Sequence, residues 1–401
     1  MLKELMQSAV SISDERRMDL TTDWTEVWLN DSSLSLSEVT LSLVLLWLTA
    51  LLEILSYLIH HSQDSKSLID SRIVRTPVEE FSNVRQFGYN FKSNFVTITL
   101  SSRPGYPRVH YLDEGPRDAE TVLLLLHGEP FWSFSWTKVI PALSTEARVI
   151  VPDLVGFGMS DKFVDWRLYD LDMHVETVAR LLDHLNIAGS HQKVVFVGHN
   201  WGWMVGAGLA RLRPELFSKL VILNTNNLPD GEVDTHRYSQ TSTLTKFLVL
   251  NSFFLFFRAS MNLVREHFPL SLLVHSLNKN YSSAMVAATL SPWPSPDYCG
   301  GTTAFPLMVP VTPSHPEAAN MRRIRRFLST WHRPTLVLYS DSSLLPWAQH
   351  GDFVVGRRMD FYTNLIPGVV RVRRLGGEVG HLVMWDDPHQ VVQEIQHFLR
   401  Y

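Results

Sequence analysis

The sequence contains very little cysteine, since Cys299 is the single one among 401 residues. One thiol can form neither a disulfide within the chain nor a zinc site built from several cysteines. Histidine is plentiful, with 17 residues, but none of them falls in an HExxH or similar ligand spacing. The sequence therefore predicts no metal site, and no motif in it indicates a cofactor.

An excess of basic charge is also missing. The chain carries 36 Lys and Arg against 40 Asp and Glu, for a net charge of −4. This balance gives no electrostatic footprint for nucleic acid, so we set that class of partner aside. The hydrophobic fraction of 45% supports a sizeable core, and the length fits one large α/β domain with an insertion and an N-terminal extension.

The N-terminal part lacks the basic region and the small-residue cleavage site of a standard signal peptide. A polar segment at 1–35 precedes a predicted hydrophobic helix at 36–62, and 63–73 forms a linker. Within the helix, 39–59 is apolar around its circumference apart from Glu53, which favours a membrane anchor. An amphipathic helix packed on the domain or in an oligomer interface is the alternative. The expected location is therefore membrane-associated through one N-terminal anchor, or cytoplasmic.

The most informative stretch is a strand, a sharp turn and a helix near the middle of the chain. An apolar run at 194–197 stops at the pentad Gly198-His199-Asn200-Trp201-Gly202, and a small-residue helical pattern follows. This is the pattern of a nucleophile elbow, in which glycines leave room for a strained apex residue at a helix N-terminus. The apex is Asn200, an uncharged carboxamide and a very weak nucleophile. A glycine-flanked helix start without catalytic meaning is the competing interpretation.

A second loop of interest follows a predicted central strand at 122–126. The strand ends in His127-Gly128-Glu129-Pro130. In a hydrolase sheet, the loop at this position supplies a backbone N–H to an oxyanion or halide hole, and a glycine there lets the backbone approach the substrate. The next predicted strand leads into Asp153, for which we predict a scaffold role in a tight turn.

Strands alternate with helices along most of the chain, which predicts a mostly parallel, doubly wound sheet with the ligand at the carboxyl ends of its strands. The alternation occupies 74–225, stops over 226–330 and resumes over 331–401. An insertion at 226–330 is expected to form a cap over the site. Its phenylalanines at 253–257 either pack the cap or line an apolar pocket.

Two further residues complete a candidate constellation. Asp341 follows a predicted strand at 335–339, so its carboxylate lies at the carboxyl end of that strand. His381 lies in a glycine-rich loop after the last predicted strand, where the elbow apex needs its base. Their order along the chain is apex, acid, histidine, as this fold requires.

Several motifs together carry a family resemblance. They are HGEPFWSFSW at 127–136, VPDLVGFGMSDK at 151–162, VGHNWGW at 197–203, PWPSPDY at 292–298 and GEVGHLVMWDDP at 377–388. From about Val74 to Tyr401 the chain resembles a haloalkane dehalogenase of the α/β-hydrolase superfamily. HGEP followed by an aromatic residue, and a Trp directly after the apex, are specific to dehalogenases within the superfamily.

The resemblance implies a role for each candidate residue. The apex residue, here Asn200, displaces halide and forms an alkyl-enzyme ester in that family, where it is Asp. His381 activates the water that hydrolyses the ester, and Asp341 orients His381. The indole of Trp201 binds the departing halide, and the backbone N–H groups of Glu129 and Trp201 form the hole. The implied partner is a small hydrophobic, halogenated substrate or ligand.

The chain departs from the family in two respects. Asn occupies the apex, and no Trp lies between Leu228 and Leu290, where related dehalogenases place a second halide-binding indole. Trp293 is a weak candidate for that role. Three hypotheses follow: a dehalogenase in which the water activated by the histidine converts Asn200 to Asp, a silent binding protein for a hydrophobic ligand, and an epoxide hydrolase that uses Tyr238 or Tyr281.

Overall fold

The computed structural model describes most of the chain that follows the predicted linker. The described residues are 40, 44–45, 47–52, 54–55, 69–187, 191–225, 228, 270–271, 274, 281–310, 313–340, 356–376 and 379–401. The predicted anchor at 39–59 and the predicted cap at 226–330 are therefore described only in part. Among the described residues, no helix combines the length and the apolar character needed to cross a bilayer.

Ten strands are described. They are β1 (Ile73–Val74), β2 (Asn94–Thr97), β3 (Arg108–Glu114), β4 (Thr121–Leu126), β5 (Arg148–Pro152), β6 (Lys162–Phe163), β7 (Lys193–His199), β8 (Phe217–Leu223), β9 (Thr335–Ser340) and β10 (Val369–Leu375). Strands β1 and β6 form a small antiparallel ribbon, and the other eight form one sheet in the order β10-β9-β8-β7-β4-β5-β3-β2.

The large sheet is parallel from β10 to β5, whereas β3 and β2 join it antiparallel. Its middle strand β4 lies between β5 and β7, in a register that pairs Leu125 with Val197. The apolar run 122–126 is fully buried, because both faces of a central parallel strand are covered by other elements. The predicted mostly parallel α/β sheet is confirmed.

From Ile140 onward, nine α-helices have described bounds. They are α1 (Ile140–Leu143), α2 (Leu171–His184), α3 (Trp201–Leu212), α4 (Ser283–Leu290), α5 (Gly300–Leu307), α6 (Ala318–Leu328), α7 (Gly356–Leu365), α8 (Val383–Asp386) and α9 (Pro388–Leu399). Asp170 and Asp387 cap α2 and α9 by accepting backbone N–H bonds from Met173 and Gln390.

The chain between Trp136 and Leu143 does not form one continuous helix. The structure has a short 3-10 helix at Ser133–Trp136 and begins α1 only at Ile140. Pro141 lies in the first turn of α1, where its missing N–H has no intrahelical partner to lose. The proline therefore marks the start of the helix.

The chain divides into two compact units. The larger unit comprises Ile69–Leu228, Pro269–Phe305 and Arg323–Tyr401, and it contains the whole eight-stranded sheet. The smaller unit comprises the remaining residues, among them Pro306–Arg322.

Candidate active site

The turn between β7 and α3 has the geometry of a nucleophile elbow. Strand β7 ends at His199, α3 begins at Trp201, and Asn200 between them has φ 52° and ψ −125°. A positive φ in a residue with a side chain marks local strain, which persists only where surrounding contacts enforce it. A Cβ on Gly202 would overlap the carbonyl oxygens of Leu126 and His127, so this flanking position requires glycine.

The carboxamide of Asn200 is held at both of its polar atoms. Its Oδ1 accepts a hydrogen bond from the backbone N–H of Trp201 at 2.6 Å, and its Nδ2 lies 3.1 Å from Nε2 of His381. An amide nitrogen can only donate, so Nε2 accepts and the neutral imidazole carries its proton on Nδ1. The structure thus brings Asn200, Trp201 and His381 together as the sequence predicted.

The backbone of Asn200 is fixed by the end of the neighbouring strand β8. Its N–H donates to the carbonyl of Leu223 at 3.3 Å, and its carbonyl accepts from the hydroxyl of Thr225 at 2.9 Å. The strained apex is therefore anchored to a second strand at the carboxyl edge of the sheet, where ligands bind in this class of fold.

His381 lies between β10 and α8, and its side chain is buried. Its backbone carbonyl accepts two hydrogen bonds, from Nε2 of His199 and from Nδ2 of Asn224, both at 3.0 Å. The two donors come from the ends of β7 and β8. The loop that carries His381 is thereby tied to the same strands that position Asn200.

Asn224 is a positioning residue that the sequence analysis missed. It directly follows β8 and has a φ of 34°. Its side chain makes two hydrogen bonds with Ser340 at the end of β9: Nδ2 donates to Oγ of Ser340, and Oδ1 accepts from the backbone N–H of Ser340, both at 2.8 Å. The same amide reaches the carbonyl of His381. A polar residue directly after a buried strand, at the ligand-binding edge, is the signal that points to it.

His199 is a neutral support for this loop. Burial lowers the pKa of His199 from 6.5 to about 4, although its hydrogen bond to the carbonyl of His381 acts in the opposite direction. Because Nε2 donates this bond, the neutral ring carries its proton on Nε2. A charged imidazole is thus avoided next to His381, whose ring centroid lies 4.8 Å away.

The HGEP loop approaches the apex closely. A Cβ on Gly128 would overlap the side chain of Asn200, so glycine is required where β4 ends beside the elbow. In the next residue, Glu129, one buried carboxyl oxygen has no hydrogen-bond partner among the residues that the structure describes. Burial raises the pKa of Glu129 well above its ordinary value of 4.5, which favours the neutral acid at this position.

The indole of Trp201 is mostly buried and stacks on Phe305, with ring centroids 4.8 Å apart and planes inclined by 30°. The indole N–H of Trp293 already has an acceptor. Its Nε1 donates to the carbonyl of Gly156 at 3.1 Å and its ring packs edge-on against Phe157. A buried N–H that has an acceptor is costly to redirect, which argues against Trp293 as a halide donor.

Other expected residues lie outside the described part of the chain. They are Asp341, the predicted acid, together with Tyr238 and the phenylalanines at 253–257. Tyr281, the other expected cap tyrosine, is described and buried just before α4.

Comparison with known proteins gives concordant results. A family model described as the alpha/beta hydrolase fold matches residues 121–388. The chain is 32% identical over 330 residues to a haloalkane dehalogenase of Psychrobacter cryohalolentis, which covers 82% of this chain and 98% of the relative. It is 30% identical over 324 residues to a haloalkane dehalogenase of Mycobacterium marinum, with 80% and 98% covered.

Among solved structures, the chain resembles the tetrameric haloalkane dehalogenase of Paraglaciecola agarilytica. The TM-score is 0.65 at 25% sequence identity, and the match covers 80% of this chain and 97% of that one.

Proposed function

Because this chain belongs to the haloalkane dehalogenase family of the α/β-hydrolase fold, we propose that it hydrolyses carbon–halogen bonds after its own site has converted Asn200 to Asp. The observation that carries this proposal is the placement of the Asn200 carboxamide, with its oxygen on the Trp201 N–H and its nitrogen on Nε2 of His381. Hydrolysis of a side-chain amide uses two such groups, a donor on the carbonyl oxygen and a base beside the leaving nitrogen.

The conversion consumes one water and releases one ammonia. Water adds to Cγ of Asn200 and gives a proton to Nε2 of His381, while the negative charge that develops on Oδ1 is stabilised by the Trp201 N–H at the start of α3. The C–N bond then breaks, and His381 returns the proton to the leaving nitrogen 3.1 Å away. The carboxylic acid that forms passes its proton to the released ammonia, so that a carboxylate remains at the apex and ammonium leaves.

Dehalogenation follows in two steps. The carboxylate at position 200 attacks the carbon that carries the halogen, so that a C–O bond forms, the carbon–halogen bond breaks and halide leaves. Water, deprotonated by His381, then attacks the ester at Cγ and releases the alcohol. The sum is alkyl halide and water to alcohol, halide and a proton.

The remaining residues have supporting roles in this proposal. In the described part of the chain, no protein group accepts a hydrogen bond from the indole N–H of Trp201, which is available for the halide. In this proposal the backbone N–H groups of Glu129 and Trp201 form the hole for the ester oxygen, and Asp341, which lies outside the described residues, has the role of orienting His381. Together they stabilise charge where it develops.

The proposal is tested by halide release from 1-bromoalkanes with the full-length protein and two variants, Asn200→Asp and Asn200→Ala. The natural protein and Asn200→Asp are expected to release bromide, whereas Asn200→Ala is expected to be inert because no residue at the apex can become a nucleophile. Asn186→Asp is the matched control and should release bromide like the natural protein. Asn186 also has a positive φ, of 55°, but it lies at the exposed end of α2. An inactive natural protein beside an active Asn200→Asp variant would overturn the self-conversion.

A binding protein for a hydrophobic ligand is the second candidate. The observation that favours it is the close fit of the uncharged carboxamide into the site, with both polar atoms satisfied. A silent natural protein whose residue 200 stays Asn, together with saturable binding of a 1-bromoalkane, would support this function.

A further inference from the structure

A second histidine of the larger unit also faces a potential nucleophile, far along the sheet from the elbow. His110 lies on β3 and Ser93 directly precedes β2, the edge strand that pairs antiparallel with β3. The register sets Phe95 opposite His110, so Ser93, two residues before Phe95, points to the same face of the sheet. This geometry brings the serine hydroxyl to the imidazole.

The three side chains Ser93, His110 and Asp153 form a hydrogen-bonded relay. The Oγ of Ser93 lies 3.1 Å from Nε2 of His110, and Nδ1 of His110 lies 2.8 Å from Oδ2 of Asp153. His110 and Asp153 are completely buried, whereas Ser93 is exposed. The nucleophile of this relay is therefore open to solvent, and its base and acid are shielded.

The carboxylate of Asp153 is held in its charged form. It accepts backbone N–H bonds from Ser133 at 2.7 Å and Met159 at 2.8 Å, besides the bond to His110. Burial on its own raises the pKa of Asp153, but His110 and the hydrogen bonds outweigh it, and the pKa lies below its ordinary value.

This charge settles the tautomer of His110. An ionised carboxylate accepts only, so Nδ1 of His110 carries the proton that points to Asp153. In the neutral ring Nε2 is then bare and can accept the proton of the Ser93 hydroxyl at 3.1 Å, and the Sδ of Met159, 3.7 Å from Oγ, is the weaker competing acceptor. A serine hydroxyl that donates to an imidazole whose other nitrogen is bound to a buried aspartate has the roles of the Ser-His-Asp triad. These roles are recognised by geometry and not by sequence position.

We propose that Ser93 is the nucleophile of a second, surface site, which takes up an acyl or phosphonyl group from activated esters with an apolar substituent. The half-exposed ring of Phe95 lies beside His110, with centroids 5.1 Å apart, and offers apolar surface for that substituent. The guanidinium of Arg108 lies over the ring of Phe95, with its Cζ 4.0 Å from the ring centroid. The proposal does not rest on the function proposed for Asn200.

The chemical step is a simple transfer. With an ester, Ser93 Oγ forms a bond to the carbonyl carbon while its proton passes to Nε2 of His110, and the alcohol leaves with that proton. With a fluorophosphonate, the Oγ–P bond forms, the P–F bond breaks, fluoride leaves and His110 keeps the proton. Neither reaction needs an oxidant, a reductant or a metal.

The test is labelling of the full-length protein with an alkyl fluorophosphonate, followed by peptide mass mapping. We expect the label on Ser93, at a rate roughly 10²- to 10⁴-fold above that of Ser101, because general-base assistance contributes a factor of this size. Ser101 is the internal comparison: it is exposed and its hydroxyl donates to Glu176 at 2.5 Å, with no histidine in its hydrogen bonds. Label absent from Ser93, or equal on the two serines, overturns the proposal.

Variants separate the relay from simple exposure. Ser93→Ala is expected to abolish the label and Ser101→Ala to leave it unchanged. Asp153→Asn, which removes the charge that sets the His110 tautomer, is expected to slow labelling of Ser93 at least about 10²-fold. Undiminished labelling in a folded Asp153→Asn protein overturns the relay. Should that variant not fold, the site and rate of labelling in the natural protein decide alone.

Discussion

Two histidines of the larger unit make the same kind of contact with different partners. Nε2 of His381 faces the carboxamide of Asn200 at 3.1 Å, and Nε2 of His110 faces the hydroxyl of Ser93 at the same distance. The amide has no proton whose loss gives a useful nucleophile, whereas the hydroxyl does. A histidine in position to act as a base therefore does not determine the reaction by itself. The reaction depends on the side chain that the histidine contacts.

The two regions also differ in how they treat negative charge. Asn200 stands at the start of α3, with the Trp201 N–H on its oxygen, so the elbow is built to stabilise an anion. Ser93 precedes an edge strand and relies on the relay through His110 to Asp153. The elbow can thus stabilise negative charge, but in our proposal its nucleophile forms only when Asn200 becomes Asp. At the sheet edge, the proposed nucleophile Ser93 needs no such conversion.

Removal of the base at the elbow is expected to have the largest effect on activity. In His381→Gln, residue 200 is expected to remain Asn, and bromide release should fall by about 10³-fold or more. The reason is that His381 acts as the base both in the conversion of Asn200 and in the hydrolysis of the ester. Peptide mass mapping and a halide assay check the two parts. His184→Gln, at an exposed position in the last turn of α2, is the control and should change neither. Labelling of Ser93 should also persist in His381→Gln, because its base is His110.

Asn224→Ala tests whether the loop that carries His381 needs its side-chain anchor. Loss of the bonds to Ser340 and to the His381 carbonyl is expected to lower bromide release roughly 10- to 100-fold and to destabilise the fold by about 1–3 kcal/mol. Steady-state kinetics and thermal unfolding measure these effects.

Asn224→Gly separates the side chain from the backbone, because glycine tolerates the positive φ but makes none of these hydrogen bonds. It is expected to lose activity as Asn224→Ala does. Full activity in the glycine variant would show that only the backbone conformation matters. Asn186→Ala, at another positive φ, controls for strain alone.

Gly202→Ala tests the steric side of the elbow. The new Cβ meets the carbonyl oxygens of Leu126 and His127, which belong to backbone and cannot rotate away. We expect a loss of about 1–3 kcal/mol in the free energy of unfolding, measured by denaturant titration. Gly376→Ala is the matched control because no atom of the described residues lies within 4 Å of a Cβ there, and it should stay within about 0.5 kcal/mol of the natural protein. Equal effects would contradict the steric account.

The smallest expected effect is on the pH dependence of stability. Folded His199 has a pKa of about 4 against 6.5 for the ordinary side chain, so between these values the unfolded chain binds a proton that the folded chain does not. The contribution of His199 is therefore complete above pH 6.5 and is lost as the pH falls toward about 4. Unfolding measured across this window should show a shallower fall in His199→Gln. An identical slope would exclude burial of a neutral His199.

Much of this fold follows from local sequence pattern. Apolar runs predicted the central strands such as β4, because a parallel strand buried on both faces is an uninterrupted apolar segment. Strand β10 also has the predicted bounds, although it is only partly buried and carries three arginines. The elbow and His381 were predictable for a similar reason, since glycine spacing and position after a strand are local signals. The structure then brought Asn200, Trp201 and His381 together.

The parts that sequence did not predict depend on contacts between distant elements. Asn224 acquires its role because β8, β9 and the loop before α8 converge, and no local pattern encodes that meeting. The indole N–H of Trp293 donates to the carbonyl of Gly156, which lies far from it in the sequence, so no local pattern shows that this donor already has an acceptor. Asp153 was expected to be scaffold, and its bond to His110 depends on the pairing of β3 with β5.

The most direct test follows the chemical identity of residue 200 and the activity in one sample. Full-length natural protein is incubated at neutral pH, and at each time the fraction of Asp at position 200, from peptide mass mapping, is compared with bromide release from a 1-bromoalkane. The account predicts that release rises in proportion to that fraction and reaches the level of Asn200→Asp. Release by a protein whose residue 200 is entirely Asn, or a residue that stays Asn without release, would contradict it.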